Sequence, residues 1–168
     1  FRLSAVFAPQ FGFLATKKFT KKVEYTSLNG PSVIVNTSGT VNTANETQSY
    51  SQAINAQLLA NYQFNIKEDH NFAALLGYEN YTVYNENSSQ SREGYLLTDY
   101  QVIDAGAELN MRNGGNANES ALRSFFGRMN YSYKNRYLLQ ANARVDGSSR
   151  FSKSSRWGLF PSVSAGWI

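Results

Sequence analysis

The sequence predicts an all-β chain: an antiparallel up-and-down sheet whose pattern fits a segment of a large transmembrane β-barrel. Three observations predict it. Apolar and polar residues alternate with period two over five stretches. The links between those stretches alternate between long and short. Rings of Tyr, Phe and Trp collect at the ends of the alternating stretches, with small or aliphatic residues between them.

The cleanest strand runs from Tyr50 to Phe64, with Ile54, Ala56, Leu58 and Ala60 on one face and Asn55, Gln57 and Asn61 on the other. A short charged link, Asn65–His70, leads to a second strand over about Asn71–Asn85. Its face of Phe72, Ala74, Leu76 and Tyr78 turns polar at Asn80. A third strand spans about Arg123–Tyr133, with Phe125, Met129, Tyr131 and Tyr133 opposite Arg128 and Asn130. The tight turn Lys134-Asn135-Arg136 connects it to a fourth, where Leu139, Ala141, Ala143 and Val145 oppose Gln140, Asn142, Arg144 and Asp146. A basic, Ser-rich link over Gly147–Arg156 precedes a fifth strand, Trp157–Trp167. At the start, Phe1, Leu3, Ala5 and Phe7 suggest the end of one more strand. Lys17–Val41 reads as a long loop with a basic cluster at Lys17, Lys18, Lys21 and Lys22, and Glu86–Ser120 as another, holding a weakly apolar piece over Tyr95–Leu109.

Composition narrows the chemistry. The chain has 168 residues, no cysteine and one histidine, which excludes disulfides, thiol nucleophiles and sites built on paired imidazoles. Sixteen Lys and Arg against twelve Asp and Glu give a net charge of +4, too modest an excess to mark a nucleic-acid partner. Charged residues make up 17%, below the roughly 25% of soluble domains. No apolar run is long enough for a membrane helix, but a barrel strand needs only about ten alternating residues.

The apolar faces have two possible neighbours. A soluble sandwich would set them against a second sheet; a barrel would set them against lipid. Ring placement, small mid-strand residues and the lack of mid-strand charge favour lipid. On that view Ile54, Leu58, Leu139, Ala141, Val163, Trp157 and Trp167 face lipid, and Arg128, Asn130, Gln140, Asn142 and Arg144 face the lumen. Leu138 and Phe160 interrupt that polar face and would pack on something inside. Six strands cannot close a barrel, and open edges are not viable in hydrocarbon. The chain therefore reads as a piece of a larger protein, an expectation that the apolar residues at both ends support. The alternative is a soluble secreted β-sheet domain that binds glycans on Tyr and Trp platforms.

Several stretches resemble one family. They are Glu119–Tyr131, Tyr137–Phe151, Arg156–Trp167, and upstream His70–Phe72 leading into Leu75–Glu79. The most specific is Arg144-Val145-Asp146-Gly147-Ser148-Ser149-Arg150-Phe151, with Val145 where an aromatic is usual. Together they look like the SusC/RagA family of TonB-linked outer-membrane transporters, well over Glu68–Ile168 and diffusely before it. The resemblance implies a multi-pass outer-membrane barrel of about 22 strands with a plugged lumen, of which residues 1–168 would be partial wall without plug or TonB box. It implies import of large nutrients, oligosaccharides or peptides. Its implied partners are a SusD-like lipoprotein, TonB acting through the plug, and outer-membrane lipid and lipopolysaccharide.

No catalytic, cofactor or metal constellation emerges, and the chain does not read as an enzyme. His70 reads as a solvated turn residue between acidic neighbours. Asn113-Gly114-Gly115-Asn116 reads as a flexible loop, and the Asn-x-Ser/Thr triplets at Asn36, Asn45, Asn87 and Asn118 as composition. The link bearing Asp146, Arg150, Lys153 and Arg156 reads as an extracellular loop braced by ion pairs of Asp146 with Arg144 or Arg150, with contact to lipopolysaccharide, lipoprotein or substrate as the functional alternative.

Overall fold

A computed structural model describes residues 1–22 and 41–168. Six strands form one sheet in the order β1-β2-β3-β4-β5-β6, so every strand pairs with its sequence neighbour. They are β1 (Arg2–Thr20), β2 (Thr43–Ile66), β3 (His70–Glu93), β4 (Arg112–Tyr133), β5 (Tyr137–Ser148) and β6 (Trp157–Trp167). Among the described residues there is no α-helix, only two single-turn 3-10 pieces, Ile103–Ala105 and Lys153–Ser155. Among the described residues no helix is long and apolar enough to cross a membrane.

The strands are longer than the alternation alone marks. β1 continues through Lys17 and Lys18, which the sequence placed in a loop. β3 extends to Glu93 and β4 begins at Arg112, so about half of the polar stretch expected as loop is strand. Asn113-Gly114-Gly115-Asn116 lies inside β4 and not in a flexible loop. Side-chain hydrogen bonds there, such as Ser49 Oγ to Asn87 Oδ1 (2.7 Å) and Asn87 Nδ2 to Asn116 Oδ1 (3.4 Å), bridge neighbouring strands without apolar contrast. Asn36 and most of the expected loop before Val41 lie outside the described residues.

The short links are tight. In β4–β5, Lys134 and Asn135 are both left-handed (φ 52° and 53°), and the Arg136 N–H donates to the Tyr133 carbonyl at 3.0 Å. Those are the two positive-φ centres of a type I′ turn, the form that matches the twist of a hairpin. The β2–β3 link, Lys67–Asp69, also uses a left-handed residue, Lys67 (φ 55°).

The described chain divides into two compact units. The first comprises Phe1–Phe11, Gln52–Tyr84 and Glu119–Ile168; the second comprises Gly12–Ser51 and Asn85–Asn118. The second unit holds the long β3–β4 link, which folds on itself. Tyr95 is buried, donates from its hydroxyl to the Ile103 carbonyl (3.0 Å), and meets Phe19 edge-on at 5.2 Å. Burial pushes the Tyr95 hydroxyl above the usual tyrosine range. Arg92 closes the link by pairing with Asp104 at 2.9 Å.

The first unit has two-sided register. β4, β5 and β6 align Met129 with Ala141 and Val163, and Tyr131 with Leu139 and Ala165. The intervening rows align Arg128 with Asn142 and Ser162, and Asn130 with Gln140 and Ser164. The apolar rows have no second layer: Val163 is 73% exposed and Leu139 46%, while Ile54 is half-buried. Among the described residues only Ala44 and Tyr95 are buried apolar side chains, both in the second unit. A sandwich core is not formed.

Gly77 serves the polar side. The Phe126 ring occupies the place where a Cβ on Gly77 would stand. Gly77→Leu in the full-length parent should therefore cost about 1–3 kcal/mol through overpacking. The readout is a lower temperature for loss of the folded band in unboiled gels, with Gly77→Leu/Phe126→Ala recovering part of the loss.

Candidate functional site

The sheet of the first unit carries different chemistry on its two faces, and each is a candidate surface. On the apolar face the rings form two belts. At the short-turn end, Tyr62 stacks on Phe64 (5.5 Å), Phe64 on Phe72 (4.8 Å), and Phe72 meets Tyr131 (4.8 Å). Tyr133 continues to Tyr137 (6.3 Å), and Trp167 pairs with Tyr137 across β5–β6. At the other end Tyr78 meets Phe125 (5.1 Å) and Phe125 meets Trp157 (6.3 Å). Trp157 covers Gly147, where a Cβ would stand 2.7 Å from its ring. Between the belts lie Ala141, Ala143, Val163 and Ala165, with no charge. β6, 11 residues long, rises about 25 Å at about 3.4 Å per residue and a tilt of about 45°.

His70 belongs to the short-turn belt. It opens β3, is half-buried, lies 2.8 Å from the Tyr131 hydroxyl through Nδ1, and packs 4.8 Å from the Tyr133 ring. It is a packed ring and not the freely solvated turn residue that its acidic neighbours suggested.

The polar face is organised by Arg144. Its Nε donates to Asp146 Oδ1 at 2.7 Å, and its NH2 donates to Glu79 Oε2 (2.9 Å) and Ser124 Oγ (3.0 Å). Gln57 donates to the second Glu79 oxygen at 2.8 Å. The Phe126 ring lies 5.3 Å beneath the guanidinium. Ser124 is fully buried, and Glu79 keeps only 16% of its side chain exposed. The group thus links β2, β3, β4 and β5 through one cation whose planar fork serves three acceptors. Asn55 Oδ1 is also buried and has no hydrogen-bond partner.

The polar face also bears a groove of about 580 Å³ near the short turns. Gln63, Asn71, Asn130, Gln140 and Ser164 line it together with Leu138, and more of its lining is apolar than polar. A second hollow of about 320 Å³ is lined by Arg128, Asn142, Arg144 and Phe160. All five residues expected on the polar side, with Leu138 and Phe160, therefore share one face.

The loop residues separate. Asp146 lies within β5 and pairs with Arg144, so it is a strand residue and not part of the link. Arg150 has no role in that network, Lys153 starts the 3-10 turn, and Arg156 precedes β6 with its carbonyl accepting from the Ser148 N–H at 3.1 Å. The Glu79 partnership was not expected from sequence, because nothing local links positions so far apart; both are charges on the polar parity of their strands, which is the one signal available. Among the described residues, no cluster of acidic and imidazole groups could hold a metal.

Comparison with known proteins gives a consistent match. The chain is 59% identical over 51 residues to TonB-dependent receptor SusC of Bacteroides thetaiotaomicron, covering 30% of the chain and 5% of that protein. The resemblance to SusC/RagA TonB-dependent receptors holds. TonB-dependent receptor P3 of Formosa agariphila is 36% identical over 100 residues, 58% of the chain and 10% of the receptor. TonB-dependent receptor P39 of the same organism is 28% identical over 167 residues, 98% of the chain and 16% of the receptor. The chain thus spans a sixth or less of the length of these receptors. A structure of the RagAB peptide transporter superposes on 97% of the chain with a TM-score of 0.84 at 24% identity, covering 17% of that chain. At that identity the likeness shows the fold, a segment of a TonB-dependent β-barrel. No protein-family profile matches the chain.

The Arg144 group yields a test. Arg144→Leu leaves Glu79, Asp146 and Ser124 without their shared donor and should cost about 1–3 kcal/mol, less than a fully buried pair because the guanidinium keeps 39% exposure. Arg144→Lys recovers part, since a point charge cannot serve three acceptors. A double-mutant cycle with Glu79→Gln on the full-length parent should show a coupling energy well above zero.

Proposed function

We propose that this chain is barrel wall in an active importer of the SusC/RagA type, located in the outer membrane. The single observation that carries the proposal is the uncharged, uncovered band between two ring belts, backed by a polar face of opposite chemistry. Its height of about 25 Å matches the apolar band of outer-membrane barrels. On this reading Ile54, Leu58, Leu139, Ala141, Val163, Trp157 and Trp167 meet acyl chains, the aromatic ones at headgroup level.

The opposite face lines the lumen. Arg128, Asn130, Gln140, Asn142 and Arg144 then face a plug or passing solute, and the unpartnered Asn55 oxygen is an acceptor for such a contact. The groove's amides and hydroxyls, set among apolar lining and without a charged residue, suit an oligosaccharide or peptide, which offers both hydrogen-bonding groups and apolar faces, more than a strongly charged ligand. The neighbour solved as a peptide transporter supports that class. TonB would supply the energy through a plug elsewhere in the full protein, and a SusD-like lipoprotein would meet the outer mouth. The link with Arg150, Lys153 and Arg156 then lies outside, within reach of lipopolysaccharide or that lipoprotein.

The test compares neighbouring residues of opposite parity in the full-length parent. Ala141→Arg or Val163→Arg puts a cation at the midplane at about 2–4 kcal/mol and should abolish the heat-modifiable form in outer-membrane fractions. Gln140→Arg should assemble normally. Equal tolerance at both positions refutes the orientation.

A further inference from the structure

We infer that Arg136, held between Tyr137 and Trp167, is a binding site for the phosphate of a glycerophospholipid in the leaflet that meets the short turns. The inference rests on the importer reading but concerns a site that reading does not use. The guanidinium carbon lies 6.0 Å from the Tyr137 ring centre and 5.7 Å from that of Trp167. Both rings stand on the apolar face, paired across β5–β6, so Arg136 is drawn to the lipid side of its turn and away from the groove. Cation–π contact with two rings fixes its position without consuming its N–H donors. Among the described residues no carboxylate stands within ion-pair distance of Arg136. Its neighbour Lys134 lies 3.7 Å from Asp69, with its ammonium 5.5 Å over the Tyr133 ring.

An exposed arginine beside Trp and Tyr at headgroup depth faces one abundant anion, the lipid phosphate. The planar fork matches two phosphate oxygens. The Trp167 indole N–H is a further donor beside the guanidinium. The Ile168 N–H donates to the Arg136 carbonyl at 3.0 Å and holds the turn residue against β6. Basic groups at a membrane boundary recognise anionic headgroups in this way.

The experiment uses the full-length parent receptor, purified from outer membranes in mild detergent and titrated with phosphatidylglycerol under native mass spectrometry. Arg136→Gln should weaken phosphatidylglycerol binding about tenfold, as expected for loss of one charge-assisted contact, while Arg112→Gln, at the far end of β4, leaves it unchanged. Equal binding by wild type and Arg136→Gln overturns the site. So does displacement of the lipid by inorganic phosphate alone, or retention of lipopolysaccharide in place of phospholipid. Should Arg136→Gln fail to insert, Trp167→Leu carries the same comparison with the same two outcomes. A folded, heat-modifiable variant with undiminished lipid sinks this inference and spares the importer reading; a wild-type receptor absent from outer-membrane fractions sinks both.

Discussion

Hydrocarbon offers no hydrogen-bond partner and accepts no charge at its centre. On the proposed orientation that single constraint explains both faces. The backbones of β2 to β5 are paired on both sides by neighbouring strands. In β5 and β6 the outward side chains between the belts are alanine, valine, leucine or proline, and the charges of β5 at that height point the other way. The charges sent inward must then find one another, which is why Arg144 collects acceptors from three strands. Cations at the short turns escape differently, by lying across rings at the boundary.

Two of the glycines with ring contacts show how the faces are kept smooth. Gly147 lets Trp157 lie flat on the apolar face, and Gly77 lets Phe126 lie flat on the polar one. The second placement matters for electrostatics, because the Phe126 ring is the floor on which the Arg144 guanidinium rests. A larger residue at Gly77 would disturb the ion network without touching any charged atom.

Much of the first unit was legible in the sequence. β6 keeps the bounds that its alternation marked, and the parity of Leu139, Ala141 and Val163 against Gln140 and Asn142 survives in the register. The turn at Lys134–Arg136 was also legible, since strong alternation stops there on both sides. The second unit was not. Where both faces of a strand are Asn, Ser and Gly, period two leaves no contrast to read, so β3 beyond Asn85 and β4 up to Ser120 passed as loop. Long-range partners were equally hidden: parity put Glu79 and Arg144 on polar faces, but only strand order and register bring them to 2.9 Å. His70 misled for a related reason. Its neighbours in sequence are acidic and solvated, while its neighbours in space are Tyr131 and Tyr133.

The most direct measurement is of what each face touches. The chain has no cysteine, so single cysteines at Leu139, Ala141 and Val163, and at Gln140 and Asn142, can carry spin labels in the full-length parent reconstituted into bilayers. The account predicts that labels at the first three collide with dissolved oxygen and are shielded from a water-soluble nickel reagent, with the reverse at the other two. Nickel access at Ala141 and Val163 matching that at Gln140 would contradict it.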